Sequence, residues 1–358
     1  MALILTEGFD WTTNKDILPR RWSNYVQNQT TIFSGQGRSI GSYGAFFTNI
    51  NYGTLGEFGP FGAGTTTILG VAVKCYPSLA QGYNIVNLQN IASNTSTNNI
   101  GVWYFASDNT IRVYKSHANV TSTPATLLCS GTFSDYPGDG NWWFLEVKTV
   151  NDTGTSGSVI VRVNGTEICS NLACDTIPNG DTRYLKFGGS HSISGTSAYL
   201  DDLYICDGTG TTNNDFLGEI SIKTLSPVSD ISGTGTPSTG ATRYGVIDEA
   251  NYSTSDYLTS TTNIGDRDEF GLADLTETSG TIFGVNAVVI SEKDDSGDRS
   301  LKVFVKPNGG SSEDISSANP LSFGSSSATN VISETNPDTS NAWTISDVNN
   351  MNMGIEVA

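Results

Sequence analysis

Histidine, basic residues, paired cysteines and long apolar runs are all scarce in this sequence of 358 residues. The two histidines, His117 and His191, stand apart, and no G-x-S-x-G elbow accompanies them, which argues against a Ser/His/Asp hydrolase. Five cysteines, Cys75, Cys129, Cys169, Cys174 and Cys206, form no C-x-x-C pair; a zinc centre is not expected, and free thiols or a late disulfide remain the two readings. Lys and Arg number 18 against 36 Asp and Glu, for a net charge of −18, with no basic stripe. Nucleic acid and an anionic membrane surface are therefore not expected partners. No run approaches the roughly 20 apolar residues of a membrane-spanning helix. The start, Met1 to Glu7, lacks a basic segment and a long apolar one, so the expectation is cytosolic synthesis without a secretory leader.

What is present is glycine, at 39 residues, and aromatic side chains, at 10% of the chain. Enough apolar mass exists to bury a core, and the pattern is strand after strand. Strands are expected over 68–75, 101–105, 110–114, 142–148, 158–163 and 199–205, each bounded by Gly, Asn, Asp or Ser. Asn164-Gly165 marks a two-residue hairpin turn, because both positions tolerate positive φ. Short helical turns are expected near Asp215–Leu217 and over Thr344–Asn350, where either Thr344 or Ser346 is able to cap the turn. The run 226–242, rich in Ser, Thr and Gly, has little to bury and reads as a linker between domains at 1–225 and 243–358. Beyond it, 281–290 is expected to pair with 300–306, and 351–357 to form a last strand. Regularly spaced short strands point to an all-β sandwich or barrel.

Two resemblances sharpen this. Trp142 to Lys148, followed by Ser158 to Val163 and the Asn164-Gly165 turn, resembles paired strands of laminin G-like, concanavalin A-like jelly rolls. Residues 185–189 and 198–205 look like that fold's closing strands, and Glu7-Gly8-Phe9-Asp10 like its first, which would pair with the last. The resemblance implies a jelly-roll β-sandwich over roughly 1–222, followed by a smaller β-sandwich. The segments Asp201 to Gly208 and Asn213 to Ile220 are similar to virion structural proteins of tailed bacteriophages, as is the P-x-T-x-x-x-W-T pattern of Pro337 to Thr344. That similarity implies a non-enzymatic virion protein made in the bacterial cytoplasm and displayed on the particle exterior. It would serve as capsid decoration or as a neck, tail or fibre component. Its expected partners are other virion proteins and further copies of itself.

Jelly rolls of this kind also host glycosidases and lectins. No E-x-D-x-E run supplies the paired carboxylates of a glycosidase, so no catalytic residue is assigned. No cofactor is expected beyond Ca²⁺, which laminin G-like domains hold at a rim. The resemblance makes Asp201, Asp202 and Asp207 candidate ligands, with Asp215 and the Asp294 to Asp298 run as weaker ones. The Gly-rich stretch from Gly35 to Gly64 carries Tyr43, Phe46, Phe47, Tyr52, Phe58 and Phe61 without a strong strand pattern. Such a stretch either packs on the chain's own sandwich or meets another subunit. Tyr52, Phe58 and Phe61 are the candidate interface residues. The alternative function is glycan recognition at a host surface. Of Trp142 and Trp143, adjacent in one strand, one is expected to face inward.

Overall fold

The computed structural model describes residues 2–10, 30–34, 37–39, 42–48, 55–62, 64–76, 82–89, 100–115, 126–176, 183–187, 197–240, 242–249 and 253–358. The chain divides into two compact units, Met1–Ile222 and Lys223–Ala358. Both are built of antiparallel strands.

In the first unit the strands are β1 (Leu3–Glu7), β2 (Thr30–Ser34), β3 (Tyr43–Thr48), β4 (Leu55–Phe61), β5 (Thr65–Tyr76), β6 (Gly82–Gln89) and β7 (Ile100–Phe105). They continue as β8 (Thr110–Lys115), β9 (Thr126–Thr132), β10 (Trp142–Asn151), β11 (Gly157–Val163), β12 (Thr166–Cys174), β13 (Arg183–Phe187) and β14 (Ser197–Cys206). One sheet runs β12-β11-β10-β5-β14-β3-β2, with β1 also on β14, and the other runs β4-β13-β6-β7-β8-β9. The result is a jelly-roll β-sandwich. Its core takes one face of each strand: Leu69, Val71 and Val73 of β5, Trp143, Leu145 and Val147 of β10, and Val159, Val161 and Val163 of β11. Each such side chain contributes about 1.5–3 kcal/mol on burial, so a one-residue slip of register, which would turn all of them to water, is strongly excluded. Asn164 and Gly165 take φ of 48° and 76° in the β11–β12 turn. Asn164 also accepts a hydrogen bond from the Phe144 amide at 2.8 Å, which docks the turn onto β10.

Several expectations need correction here. The Gly35 to Gly64 stretch, which shows no strong strand pattern in sequence, contains β3 and β4. The first strand is β1, ahead of the Glu7–Asp10 segment, and pairs with β14. Residues 215–217 form no helical turn: the Asp215 carboxylate accepts from Lys148 of β10 at 3.0 Å and the Leu217 amide donates to the Tyr204 hydroxyl of β14 at 3.0 Å.

The second unit contains β15 (Pro227–Gly233), β16 (Thr236–Pro237), β17 (Leu258–Thr259), β18 (Arg267–Leu272), β19 (Val285–Ser291) and β20 (Ser300–Pro307). After these come β21 (Asp314–Ile315), β22 (Asn319–Pro320), β23 (Ser327–Ser333), a helical turn α1 (Ile345–Asn349) and β24 (Met351–Val357). The main sheet runs β15-β18-β24-β20-β21, and β19 pairs with β23. Ala287, Val303, Val305, Val331, Trp343, Val348 and Met351 form the core between these layers. The run 226–242, expected as a linker, holds the edge strand β15, and the division of the chain falls at Ile222/Lys223. A Ser- and Gly-rich strand buries little, but its backbone ladder to β18 suffices at a sheet edge. The expected pairing of 281–290 with 300–306 is also overturned. The strand starts at Val285, β19 pairs with β23, and β20 pairs with β24. Of the two candidate caps, Thr344 takes the position: its hydroxyl accepts from the Asp347 amide at 3.1 Å, and Asp347 Oδ2 accepts from the Thr344 amide at 2.9 Å.

Candidate functional site

The outward face of the larger sheet of the first unit is arranged in levels, because cross-strand partners share a face. Trp142, Lys74 and Tyr199 are in register on β10, β5 and β14. Phe144, Ala72 and Asp201 form the next level, then Glu146, Gly70 and Tyr204. A bulge in β14 between Asp201 and Tyr204, with Asp202 at φ 50°, inserts the extra residue that turns Tyr204 outward.

One end of this face is closed. Tyr204 donates to Glu146 Oε1 at 2.6 Å and accepts from the Leu217 amide at 3.0 Å, while the Gly218 amide donates to the same carboxylate oxygen at 2.8 Å. Burial and then the Glu146 charge hold the Tyr204 phenol well above its usual range, so it stays a donor. Arg38 lies over the Phe144 ring, 5.5 Å from its centroid. Its guanidinium donates to Asp202 Oδ2 at 3.1 Å and Ile220 O at 2.7 Å and pairs with Glu219. Its amide donates to Asp201 Oδ2 at 2.7 Å, and the Asp202 amide to Asp201 Oδ1 at 2.8 Å. Burial, followed by the neighbouring Asp202 charge, pushes the Asp201 carboxyl up to about 8.

The expected calcium ligands thus occupy two places. Asp201 and Asp202 are engaged by Arg38 and by backbone amides, including that of Ile222 at 2.7 Å on Asp202 Oδ1. Asp207 holds its own turn, accepting from the Thr209 amide at 2.9 Å and hydroxyl at 2.7 Å. Asp295 does likewise with the Gly297 amide at 3.0 Å. Among the described residues, no group of three or more His, Cys, Asp or Glu side chains is placed to hold a metal ion. His117, His191 and Tyr52 lie outside the described residues. Phe58 stands opposite Leu185 in the β4–β13 ladder, and its side chain lies outside the described residues, as do those of Phe46 and Phe47. Phe61, expected at an interface, is 5% exposed and belongs to the sandwich core. It ends β4 on the inward face, where it packs into the sandwich core.

At the other end of the sheet face Lys74, 8% exposed, is set between aromatic rings. Lys74 Nζ sits 4.4 Å from the Tyr199 ring centroid and 5.0 Å from that of Trp142. Tyr199 meets Tyr76 edge-on at 6.3 Å, and Tyr76 is 42% exposed. Gly140, at φ 78°, brings its loop against the Tyr76 ring, 3.0 Å from an added Cβ, and donates its amide to Cys75 O at 3.0 Å. Burial lowers the Lys74 pKa, and burial followed by Tyr76 raises that of Tyr199. The result is an aromatic platform with one cation set into it. Sequence reasoning passed over Trp142 as a binding residue, although alternation carried the signal: with Trp143 inward, Trp142 must face out.

No known protein family matches the chain, and no curated protein matches it. Solved structures with similarity include an endo-β-1,4-glucuronan lyase of the fungus Trichoderma reesei, 13% identical over 57% of this chain and 95% of that one, TM-score 0.41. Domain 4 of AbnA, an extracellular arabinanase of Geobacillus stearothermophilus solved with arabinotriose, is 14% identical over 57% of this chain and 92% of that one, TM-score 0.35. The binding domain of Paraclostridial Mosquitocidal Protein 1 is 15% identical over 57% of this chain and 49% of that one, TM-score 0.37. Likenesses of this strength assign no activity and no ligand to the chain.

Proposed function

We propose that the first unit is a non-catalytic glycan-binding module and that sugar stacks on the face formed by Tyr76, Lys74, Trp142 and Tyr199. The observation that carries this is the row of aromatic rings flanking one lysine on an otherwise regular sheet face. The C–H face of a pyranose packs on aromatic rings, and a few polar groups beside them fix its orientation. The Lys74 ammonium favours sugars bearing a carboxylate. Glycan-array binding followed by titration tests the reading. Trp142→Ala and Tyr199→Ala should each weaken binding by roughly 3- to 10-fold, the worth of one aromatic contact. Unchanged affinity in both would move the site elsewhere, and release of new chain ends from a bound polysaccharide would refute the absence of catalysis.

The setting is part of the same proposal: the outside of a phage particle, as the resemblance of 201–220 and 337–344 implies. The net charge of −18 supports an exterior place, since packaged DNA repels it. Antibody-gold labelling of purified particles tests this, and unlabelled particles would refute it.

A further inference from the structure

The two sheets of the first unit approach at one side, where the edge strand β9 of the smaller sheet runs beside the edge strand β12 of the larger. The seam between them is narrow. At Gly131 an added Cβ would run into the Ile168 carbonyl, with the carbonyl carbon 2.9 Å away. Asn171 Nδ2 crosses the seam to donate to Leu128 O at 2.9 Å. Between these two points Cys129 Sγ and Cys169 Sγ face each other at 2.7 Å, and both residues are thiols.

We propose that Cys129 and Cys169 form a disulfide cross-link that closes this seam covalently when the protein meets a small-molecule disulfide oxidant. The contacts on either side hold the two sulfurs 2.7 Å apart, so closure to an S–S bond of about 2.05 Å asks the sulfurs to approach by less than about 1 Å. Cys129, the more exposed of the two, attacks one sulfur of the oxidant, forming a mixed disulfide and releasing one thiol. Cys169 then attacks the Cys129 sulfur, and the second oxidant thiol leaves. Two protein thiols and one small disulfide become one protein disulfide and two small thiols, with both protons carried off by the leaving thiolates. The Cys169 hydrogen bond and burial hold the Cys129 thiol well above its usual range. Thiolate is therefore scarce at neutral pH and closure proceeds over minutes to hours rather than seconds. The link would suit a protein that leaves a reducing cytosol for an oxidising medium.

The test is incubation of the reduced full chain with oxidised glutathione, followed by thiol counting in denaturant. Five thiols should fall to three. Trypsin should then yield residues 116–148 linked to 163–183, cut after Lys115, Lys148, Arg162 and Arg183. The second peptide also contains Cys174, so the Cys174→Ser variant should keep the link while Cys169→Ser loses it. The oxidised first unit should melt roughly 8–16 °C higher than the reduced one, with reversal by a reducing agent. Five thiols persisting, a mixed disulfide that never closes, a bond to Cys174, or an unchanged melting temperature would each overturn the proposal.

Discussion

Gly70 lies at mid-strand in β5, opposite Glu146 on one side and Tyr204 on the other. Glycine within a strand ordinarily costs about 0.5–1 kcal/mol against alanine, so Gly70→Ala would stabilise the unit if the space were open. It is not open. An added Cβ would strike Tyr204 Cε1, with Tyr204 Cζ at 2.6 Å and Phe144 Cε1 at 2.8 Å. The Tyr204 ring crosses over Gly70 to reach Glu146, and it cannot move aside without breaking that 2.6 Å bond. Overpacking costs about 1–3 kcal/mol and loss of a charge-assisted hydrogen bond about 1.5–3 kcal/mol. The expected loss is about 2.5–6 kcal/mol, or a fall of roughly 5–24 °C in the melting temperature of the first unit. Calorimetry on Gly70→Ala, Tyr204→Ala and the double variant measures it. In the Tyr204→Ala background the alanine at position 70 should cost less than half as much. A single variant within about 1 kcal/mol of the parent, or a penalty unchanged in the double variant, would refute the reasoning.

Three further outcomes follow from the same geometry. The folded pKa of Asp201 is above its unfolded value, so its contribution to stability is full below about pH 4 and is lost as pH rises towards 8; Asp201→Asn should flatten the stability–pH curve across that window, read by denaturant titration at each pH, and an unchanged slope would count against it. Phe61→Ala should destabilise the first unit by about 3–5 kcal/mol without altering oligomeric state in sedimentation, whereas an interface residue would do the reverse. Thr344→Ala should cost the second unit about 1 kcal/mol by removing the cap of α1, and no loss on thermal melting would show that the hydroxyl is dispensable.

Local signals were legible where they depend on near neighbours. The Asn164-Gly165 turn, a capped turn after Thr344 and the alternation of β11 follow from backbone preference and period, and each forms. Non-local choices were not legible. That β19 takes β23 and not β20 depends on which pairing buries Ala287 and Val331 against Val303 and Val305, a property of the assembled layers. The bulge at Asp202 breaks alternation in mid-strand, so no period could foretell that Tyr204 turns outward. The same holds for Asp201 and Asp202: acidic neighbours read as metal ligands until Arg38, 163 and 164 positions away in sequence, is seen to meet them. The Gly-rich surroundings of Phe61 left packing on the sandwich and contact with another subunit equally open; its place at the end of the edge strand β4, on the inward side, is settled only by the assembled layers.

The two ends of the first unit lie side by side. β1 pairs with β14, the Asp207 amide donates to Ala2 O at 2.8 Å, and the Ile222 side chain rests on Gly8, 3.0 Å from an added Cβ. A body whose chain enters and leaves at one spot can be spliced as a cassette into a surface loop of another protein, needing only a short connector at each joint. It can equally be circularly permuted, with residues 2 and 222 joined and new ends opened elsewhere.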